Sequence, residues 1–456
     1  MESSLGDRLV GLLGQNAVLP VDGYEVDWQT PQAVVRPADK LQASELLRWA
    51  SAENVAVTPW GGGTRMGLGN APRQTDVVLD TARLDRVIDY QPADMTATVE
   101  AGVTLAALQE QLAPGGEFVP LETALPGRST IGGILSVGMG GPLSTSYGLP
   151  REWLIGISVL DAAGVATKAG GKVVKNVTGY DLNKLYAGSL GTLGVITEAS
   201  FKLLPIDPES GALMASFPTL QTALSGGRKL LHSTAAPMGY QSVTFGASRR
   251  LQDSLHAASQ DLGLGDEETA LSLAFYSGRA KATERRLEEG AAQLLSEGAI
   301  AVQRIEGAGS NGLLRWLTDA PTEIGTNSAL VMKISVQSKM AASASSECAG
   351  ITLSSQAPDQ IADPGFGSLR LFWPRPDDIQ SAHFMEPQLF VDTINQVRQI
   401  AHRYGGSAVV ERCPLPVKAE IDVWGNAPDS LAIMQRIKEK FDPAGILNPG
   451  RFLGGI

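Results

Sequence analysis

Cysteine and histidine are scarce in this sequence of 456 residues. Cys348 and Cys413 stand far apart without a C-x-x-C, and the four histidines show no H-x-H or H-E-x-x-H. An iron–sulfur cluster or a thiolate zinc site needs a set of four such ligands, so both are excluded as expectations, and no metal-binding residue is assigned. The same scarcity makes a disulfide framework unsupported and points to a reducing compartment. Basic excess is also missing: 37 Lys and Arg against 48 Asp and Glu leave a net charge of −11, which speaks against a nucleic-acid-binding face. No apolar run is long enough to span a bilayer, and Met1-Glu2-Ser3-Ser4 lacks the basic start of a secretory signal. A cytoplasmic protein is expected, with membrane contact only indirect, at the inner face through a complex.

Glycine, by contrast, is abundant, at 51 residues. The length implies two domains. The first half alternates short strands and helices. Asp39 caps a predicted helix through Glu53, and Thr104 caps a helix carrying Leu105, Leu108 and Leu112. Asp161-Ala162-Ala163-Gly164 reads as the turn of a hairpin. Pro205 to Gly211 is turn-rich and marks a boundary. Beyond it, longer strand–helix–strand units predict an antiparallel sheet backed by helices, an α+β layer. The tail from Phe441 to Phe452 is apolar and turn-specific, and is expected to pack back onto another element.

Three glycine-rich segments stand out, none of which reads as a loop opening a helix. The first, Pro59-Trp60-Gly61-Gly62-Gly63-Thr64-Arg65, follows the apolar run Val55–Val57. The second is Pro126-Gly127-Arg128-Ser129-Thr130-Ile131-Gly132-Gly133, with Ser136 just beyond, and the third runs from Gly191 through Gly194 to Val195 and Ile196. Positions without side chains let backbone N–H groups crowd around an anion. Three of them together suggest one large phosphate-bearing ligand. No Gly-Lys-Ser/Thr follows the first, which excludes a P-loop, and Asn70-Ala71-Pro72 after Gly67-Leu68-Gly69 breaks a dinucleotide fingerprint.

These segments, with Tyr147-Gly148, Gly179–Ile196, Phe441-Asp442-Pro443 and Leu447-Asn448-Pro449-Gly450-Arg451, resemble the FAD-linked oxidases of the PCMH type, the vanillyl-alcohol-oxidase-like flavoproteins. Lys175–Leu185, Val423-Trp424-Gly425 and the ending Gly445–Ile456 make the chain most similar, within that family, to the FAD-binding subunits of glycolate oxidases. The resemblance implies a helical lead-in over 1–28, a two-subdomain FAD-binding domain over 29–206, an α+β cap over 207–440 with an antiparallel sheet, and a segment 441–456 returning to the FAD domain. It implies FAD held by Pro59 to Arg65, by Pro126, Gly127, Ser129, Thr130, Gly132, Gly133 and Ser136, by Gly191, Gly194, Val195 and Ile196, and by Asn448. No His or Cys lies in these loops, so the FAD is expected to be non-covalent.

Three functions stay open. The chain is the FAD-binding subunit of a glycolate or D-lactate dehydrogenase complex, passing electrons to a sister FAD subunit and an iron–sulfur subunit. Alternatively, it is an accessory FAD-carrying subunit with the chemistry in a sister flavoprotein, or a stand-alone phenol-type oxidase. Relatives that oxidise 2-hydroxy acids often carry a His-rich metal site, which this sequence does not display. Glu411-Arg412-Cys413 is a place to look for active-site chemistry, though a salt-bridge arginine and a packing thiol explain it equally. No catalytic base is named.

Overall fold

The computed structural model describes residues 4–172, 180–244, 246–248, 269–375 and 386–456. The segment Lys175–Gly179 and two histidines, His256 and His383, lie outside the described residues. The chain forms two compact units: Met1–Gly140 with Leu149–Ile206 and Asn426–Ile456, and Gly141–Gly148 with Asp207–Gly425. No helix among the described residues is long and apolar enough to cross a membrane.

The first unit holds two main sheets. The strand Val57–Trp60 pairs in parallel with Val77–Asp80, which pairs in parallel with Ala33–Val35; Val18–Leu19 adds an antiparallel edge. The helix Lys40–Glu53 covers this sheet, started by Asp39, whose carboxylate accepts from the backbone N–H of Leu41 and Gln42, both at 2.9 Å. Leu46, Leu47, Val57, Val77 and Leu79 form the core between them, all fully buried. The second sheet is five-stranded and antiparallel, in the order Val87–Gln91, Thr96–Glu100, Val195–Lys202, Leu154–Leu160, Ala166–Gly170. Its last pair is the hairpin expected at Asp161, where Oδ1 accepts from the N–H groups of Ala163 and Val165. Leu105, Leu108 and Leu112 of the helix Leu105–Leu112 pack on this sheet together with Ile131, Ile134 and Leu135 of a second helix, Ile131–Val137.

The second unit is built on one eight-stranded antiparallel sheet. Its spatial order is Ala301–Glu306, Glu209–Phe217, Ala270–Gly278, Gly239–Thr244, Asp359–Asp363, Ser368–Pro374, Ser328–Ser335, Ser407–Arg412. Alternation along each strand sorts the two faces. Leu213, Ala215 and Phe217 face the helices Leu220–Leu231 and Ala280–Ser296, while Leu369, Leu371 and Trp373 face Ala341–Ala349 and Pro387–Arg403. On the other face, Met214, Leu273, Val331 and Phe372 meet the helix Ala308–Thr326 through Leu313, Trp316 and Leu317.

Asp363 is a buried carboxyl of this second unit, 3% exposed. Its carboxylate accepts from the N–H groups of Gly365 (2.8 Å) and Phe366 (2.9 Å), from Gln241 Nε2 (2.7 Å) and from Thr145 Oγ1 (3.4 Å). Burial nevertheless outweighs these donors and pushes the carboxyl up to about 6. An unfolded Asp ionises near pH ~4, so between ~4 and ~6 the folded chain holds a proton that the unfolded chain has lost. The contribution of this group to stability is therefore greatest below the unfolded value and falls as pH rises through the folded one, by about 3 kcal/mol in all. Asp363→Asn should flatten that part of the profile. Urea unfolding between pH 4 and 7 checks this, and parallel profiles for the two proteins would refute it.

Candidate functional site

The strand Val57–Trp60 delivers the first glycine segment. The strand is held on both sides, by Val77–Asp80 and by the tail, where Val57 N–H donates to Ile446 O (2.8 Å) and Asn448 N–H donates to Val57 O (2.9 Å). Trp60 lies against Tyr24, ring centroids 5.0 Å apart, and Tyr24 and Arg36 both bind Asp80. The chain then leaves the sheet at Gly61. The N–H groups of Gly61, Gly62, Gly63 and Thr64 donate to no acceptor among the described residues. Four consecutive unengaged donors make a concave cationic surface suited to an oxyanion.

The second segment packs directly against the first. Thr64 Oγ1 lies 3.1 Å from Ser129 Oγ, Ser129 Oγ donates to Ala124 O (2.8 Å), and Arg128 donates to Gly62 O (3.3 Å). Pro126 accepts at its carbonyl from Ala106 N–H, and Gly127 is exposed. The close approach explains glycine here: a Cβ on Gly62 would fall on the Arg128 carbonyl, and one on Gly61 on the Thr130 hydroxyl. One expectation is corrected. The second segment does open a helix: Thr130 caps Ile131–Val137 by accepting from Gly133 N–H, with Gly132 and Gly133 inside. Gly132 is needed because a Cβ there would sit 2.9 Å from that of Ala101.

The third segment joins the same cluster. Gly188 N–H donates to Leu135 O (2.8 Å) and Leu190 N–H to Ser136 O (2.9 Å), so the turn before Gly191 is laced to the helix that Thr130 caps. Gly191 has φ +70° and lies over Pro59, while Gly194, Val195 and Ile196 are buried at the start of their strand. Asn448 closes the set: its Nδ2 donates to Leu190 O (2.6 Å), and its Oδ1 is buried without a partner, as is Thr58 Oγ1. The segments singled out in the sequence thus converge on one cluster, rich in backbone donors.

Residues passed over in the sequence hold that cluster together. Lys438 and Asp442 form a nearly buried ion pair at 2.6 Å, at the i, i+4 spacing that could have signalled it. Lys438 Nζ also donates to Thr192 O and Leu447 O, both at 2.8 Å, and Asp442 accepts from the N–H groups of Ile446 (3.0 Å) and Leu447 (2.8 Å). Arg451 is 3% exposed and donates to the carbonyls of Met66 and Leu68, binding the tail to the far end of the first loop. Burial lowers its pKa to about 10, which leaves it charged at neutral pH.

The remaining candidates are placed elsewhere. Tyr180 is 94% exposed, and Asp181 pairs with Lys184 at the surface. Cys413 lies in the helix-covered core of the second unit with Cys348, whose thiol burial pushes up to about 12. His232 and His402 are both exposed, and among the described residues no group of three His, Cys, Asp or Glu is placed to hold a metal.

A cradle of backbone donors on a strand-to-loop junction, with buried oxygen and amide groups left for a ligand, suits a phosphate-bearing cofactor such as FAD. Residues 31–170 match the FAD binding domain family, and residues 419–452 match the C-terminal domain of FAD linked oxidases. It is 27% identical to a D-2-hydroxyglutarate dehydrogenase of Xanthomonas citri over 94% of this chain and 92% of that protein. It is 34% identical to the glycolate oxidase subunit GlcD of Bacillus subtilis over 42% of this chain and 41% of that one. The fold is that of p-cresol methylhydroxylase, with TM-score 0.72 at 17% identity, covering 98% of this chain and 95% of that one.

Three substitutions test the cluster. Gly62→Val forces the Arg128 backbone away, at a cost of at least ~1–3 kcal/mol, and should abolish FAD retention, whereas Gly127→Ala meets nothing within 4 Å and should keep it. Flavin absorbance per chain after gel filtration is the readout, and normal flavin content in the Gly62 variant would remove the loop from the site. Lys438→Met strands the Asp442 carboxylate in a buried position and should destabilise the first unit by ~3–5 kcal/mol, measured by urea unfolding.

Proposed function

We propose that this chain is the FAD-binding subunit of a dehydrogenase for short 2-hydroxy acids, glycolate or D-lactate. The observation that carries the FAD half of this reading is the run of four unengaged N–H groups from Gly61 to Thr64. These donors suit a pyrophosphate because backbone dipoles neutralise an anion without the mobile side chains that a net charge of −11 leaves in short supply. Ser129 and Thr130 add hydroxyls beside them. Val195 and Ile196 offer apolar walls, and Asn448 offers its unpartnered oxygen to an N–H donor. Nothing in the cluster can form a bond to the cofactor through His or Cys, which fits non-covalent FAD.

Bound FAD would supply a two-electron acceptor for the C2 hydride of a 2-hydroxy acid, whose hydroxyl proton would also be lost to give the 2-keto acid. The substrate class is supported by likeness to a D-2-hydroxyglutarate dehydrogenase over nearly the whole chain, and the subunit role by likeness to GlcD, which is itself a glycolate oxidase subunit. Electrons then pass to a sister FAD subunit and an iron–sulfur subunit, since this chain has too few cysteines for a cluster of its own. A second reading, an accessory FAD-carrying subunit, is favoured by the placement of Cys413 in the packed core and the exposure of His402, which take two reactive side-chain types away from chemistry. The likeness to p-cresol methylhydroxylase is one of fold and does not favour a phenol-type oxidase.

Anaerobic addition of glycolate or D-lactate to the isolated FAD-loaded chain separates these. Loss of the flavin absorbance band is the expected result. Bleaching only after co-expression with a sister subunit would establish the accessory role, and a chain that takes up no FAD would overturn both.

A further inference from the structure

The eight-stranded sheet of the second unit has two edges, and they are finished differently. At Ser407–Arg412 a bulge at Glu411 breaks the register with Ser328–Ser335, and Val410 N–H donates to Val423 O (2.8 Å), so that edge is blunted and partly covered. At Ala301–Glu306 no strand among the described residues pairs with the outer side. This strand holds neither proline nor lysine, two residues that commonly close an edge.

Register tells which groups the open edge presents. Ala301 to Glu306 lie opposite Ser216 to Gly211, and Gly307 N–H continues the ladder by donating to Ser210 O (3.0 Å). Hydrogen-bonded pairs alternate in an antiparallel ladder, so Ala301, Gln303 and Ile305 turn their peptide groups inward, and Val302, Arg304 and Glu306 turn theirs outward. Arg304 and Glu306, two apart, also share a face. Arg304 is held along that face by Glu284 (3.1 Å) and Glu288 (3.9 Å) of the helix Ala280–Ser296, and a guanidinium has five N–H donors to share. Glu306 is exposed and forms no ion pair among the described residues.

We propose that this edge pairs with the same edge of a second copy of the chain, antiparallel about a dyad at Ile305. Arg304 then stands opposite the partner's Glu306, and Glu306 opposite the partner's Arg304, both as hydrogen-bonded pairs made by the outward peptide groups. Ile305 faces the partner's Ile305 at the closer, non-hydrogen-bonded position, one β-branched side chain against another. Charge selects this register. A dyad at Arg304 sets two guanidinium groups directly opposite, and a dyad at Gln303 sets Arg304 against Val302 and leaves no Arg–Glu pair. The same two charges disfavour an unrelated strand, which would have to supply their complement, whereas a copy of this chain carries it by symmetry. The pairing lies apart from the oxidation proposed above and does not depend on it.

Sedimentation velocity of the full chain at rising concentration tests the pairing. The parent should pass from one copy to two. Arg304→Glu and Glu306→Arg each set like charges opposite one another on both sides of the dyad, and each should weaken self-association by about tenfold or more. An equal mixture of the two variants restores both opposite-charge pairs and should recover the dimer, as should the double exchange within one chain. Glu306→Pro removes an outward N–H and leaves the inward ladder whole, so it should keep the parent's melting temperature while losing the dimer; it decides the matter if Arg304→Glu does not fold. A parent that stays monomeric at every concentration, variants that dimerise as the parent does, or a mixture that associates no more tightly than its components would overturn the proposal. A parent that is monomeric alone and loses a co-expressed sister subunit on Glu306→Pro would give the edge to another chain and overturn the second copy.

Discussion

The ion pair between Lys438 and Asp442 is the contact on which the cofactor end of the first unit depends. Its two members are eighteen and fourteen residues from the chain end by numbering, yet both are almost fully buried. Each does more than neutralise the other. Asp442 gathers the N–H groups of Ile446 and Leu447, which shapes the turn, and Lys438 gathers the carbonyls of Thr192 and Leu447, which ties that turn to the third glycine segment. Residues Ile446 to Asn448 are thereby held in line to hydrogen-bond Val57 on its open side. Without them the strand that delivers Gly61 would be an edge, with backbone groups unpaired in a core position.

A constraint of charge explains why the cradle is made of backbone. The chain is acidic, and lysines or arginines placed around a pyrophosphate would have to compete with carboxylates for partners. Three arginines near the glycine loops are engaged as braces: Arg36 holds Asp80, Arg128 holds Gly62 O, and Arg451 holds two carbonyls of the first loop. Peptide N–H groups carry no net charge, so a loop with four of them unengaged offers partial positive charge to an anion without recruiting a charged side chain. The geometric requirement is that segments approach to backbone contact, which is what the absence of a Cβ at Gly61, Gly62 and Gly132 permits.

Much of this was legible in the sequence because it is written locally. Asp39 and Thr104 each cap the helix that follows, and the Asp161 hairpin forms with Gly164 at φ +73°. The glycine segments were legible for the same reason, since each combines small residues and hydroxyls over a few positions. What escaped is written in tertiary contact. Two adjacent glycines argue against a helix by propensity, yet Gly132 and Gly133 sit in one because the helix must lie against Ala101. The helix Ala308–Thr326 carries Pro321 and three glycines, and is held by the burial of Leu313, Trp316 and Leu317 rather than by its own preferences. The strands Gly239–Thr244 and Asp359–Asp363 carry Gln241, Asp359 and Asp363 where strand residues are usually apolar, because those polar groups bond one another or the loops beside them.

The bulge at Glu411 shows why a residue type alone could not decide the role of Glu411-Arg412-Cys413. In plain alternation, Arg412 shares a side with Val410, and an arginine there would be buried under the helix Pro387–Arg403. One extra residue reverses that placement and leaves Glu411 able to reach Arg370 on the same side. Cys413, next along, passes into the helix-covered core and is spent on packing. The three adjacent residues therefore have three different fates: a brace, a half-buried cation, and a core thiol. Only register separates them, and register is a property of pairing with Ser328–Ser335, which lies far away in the sequence.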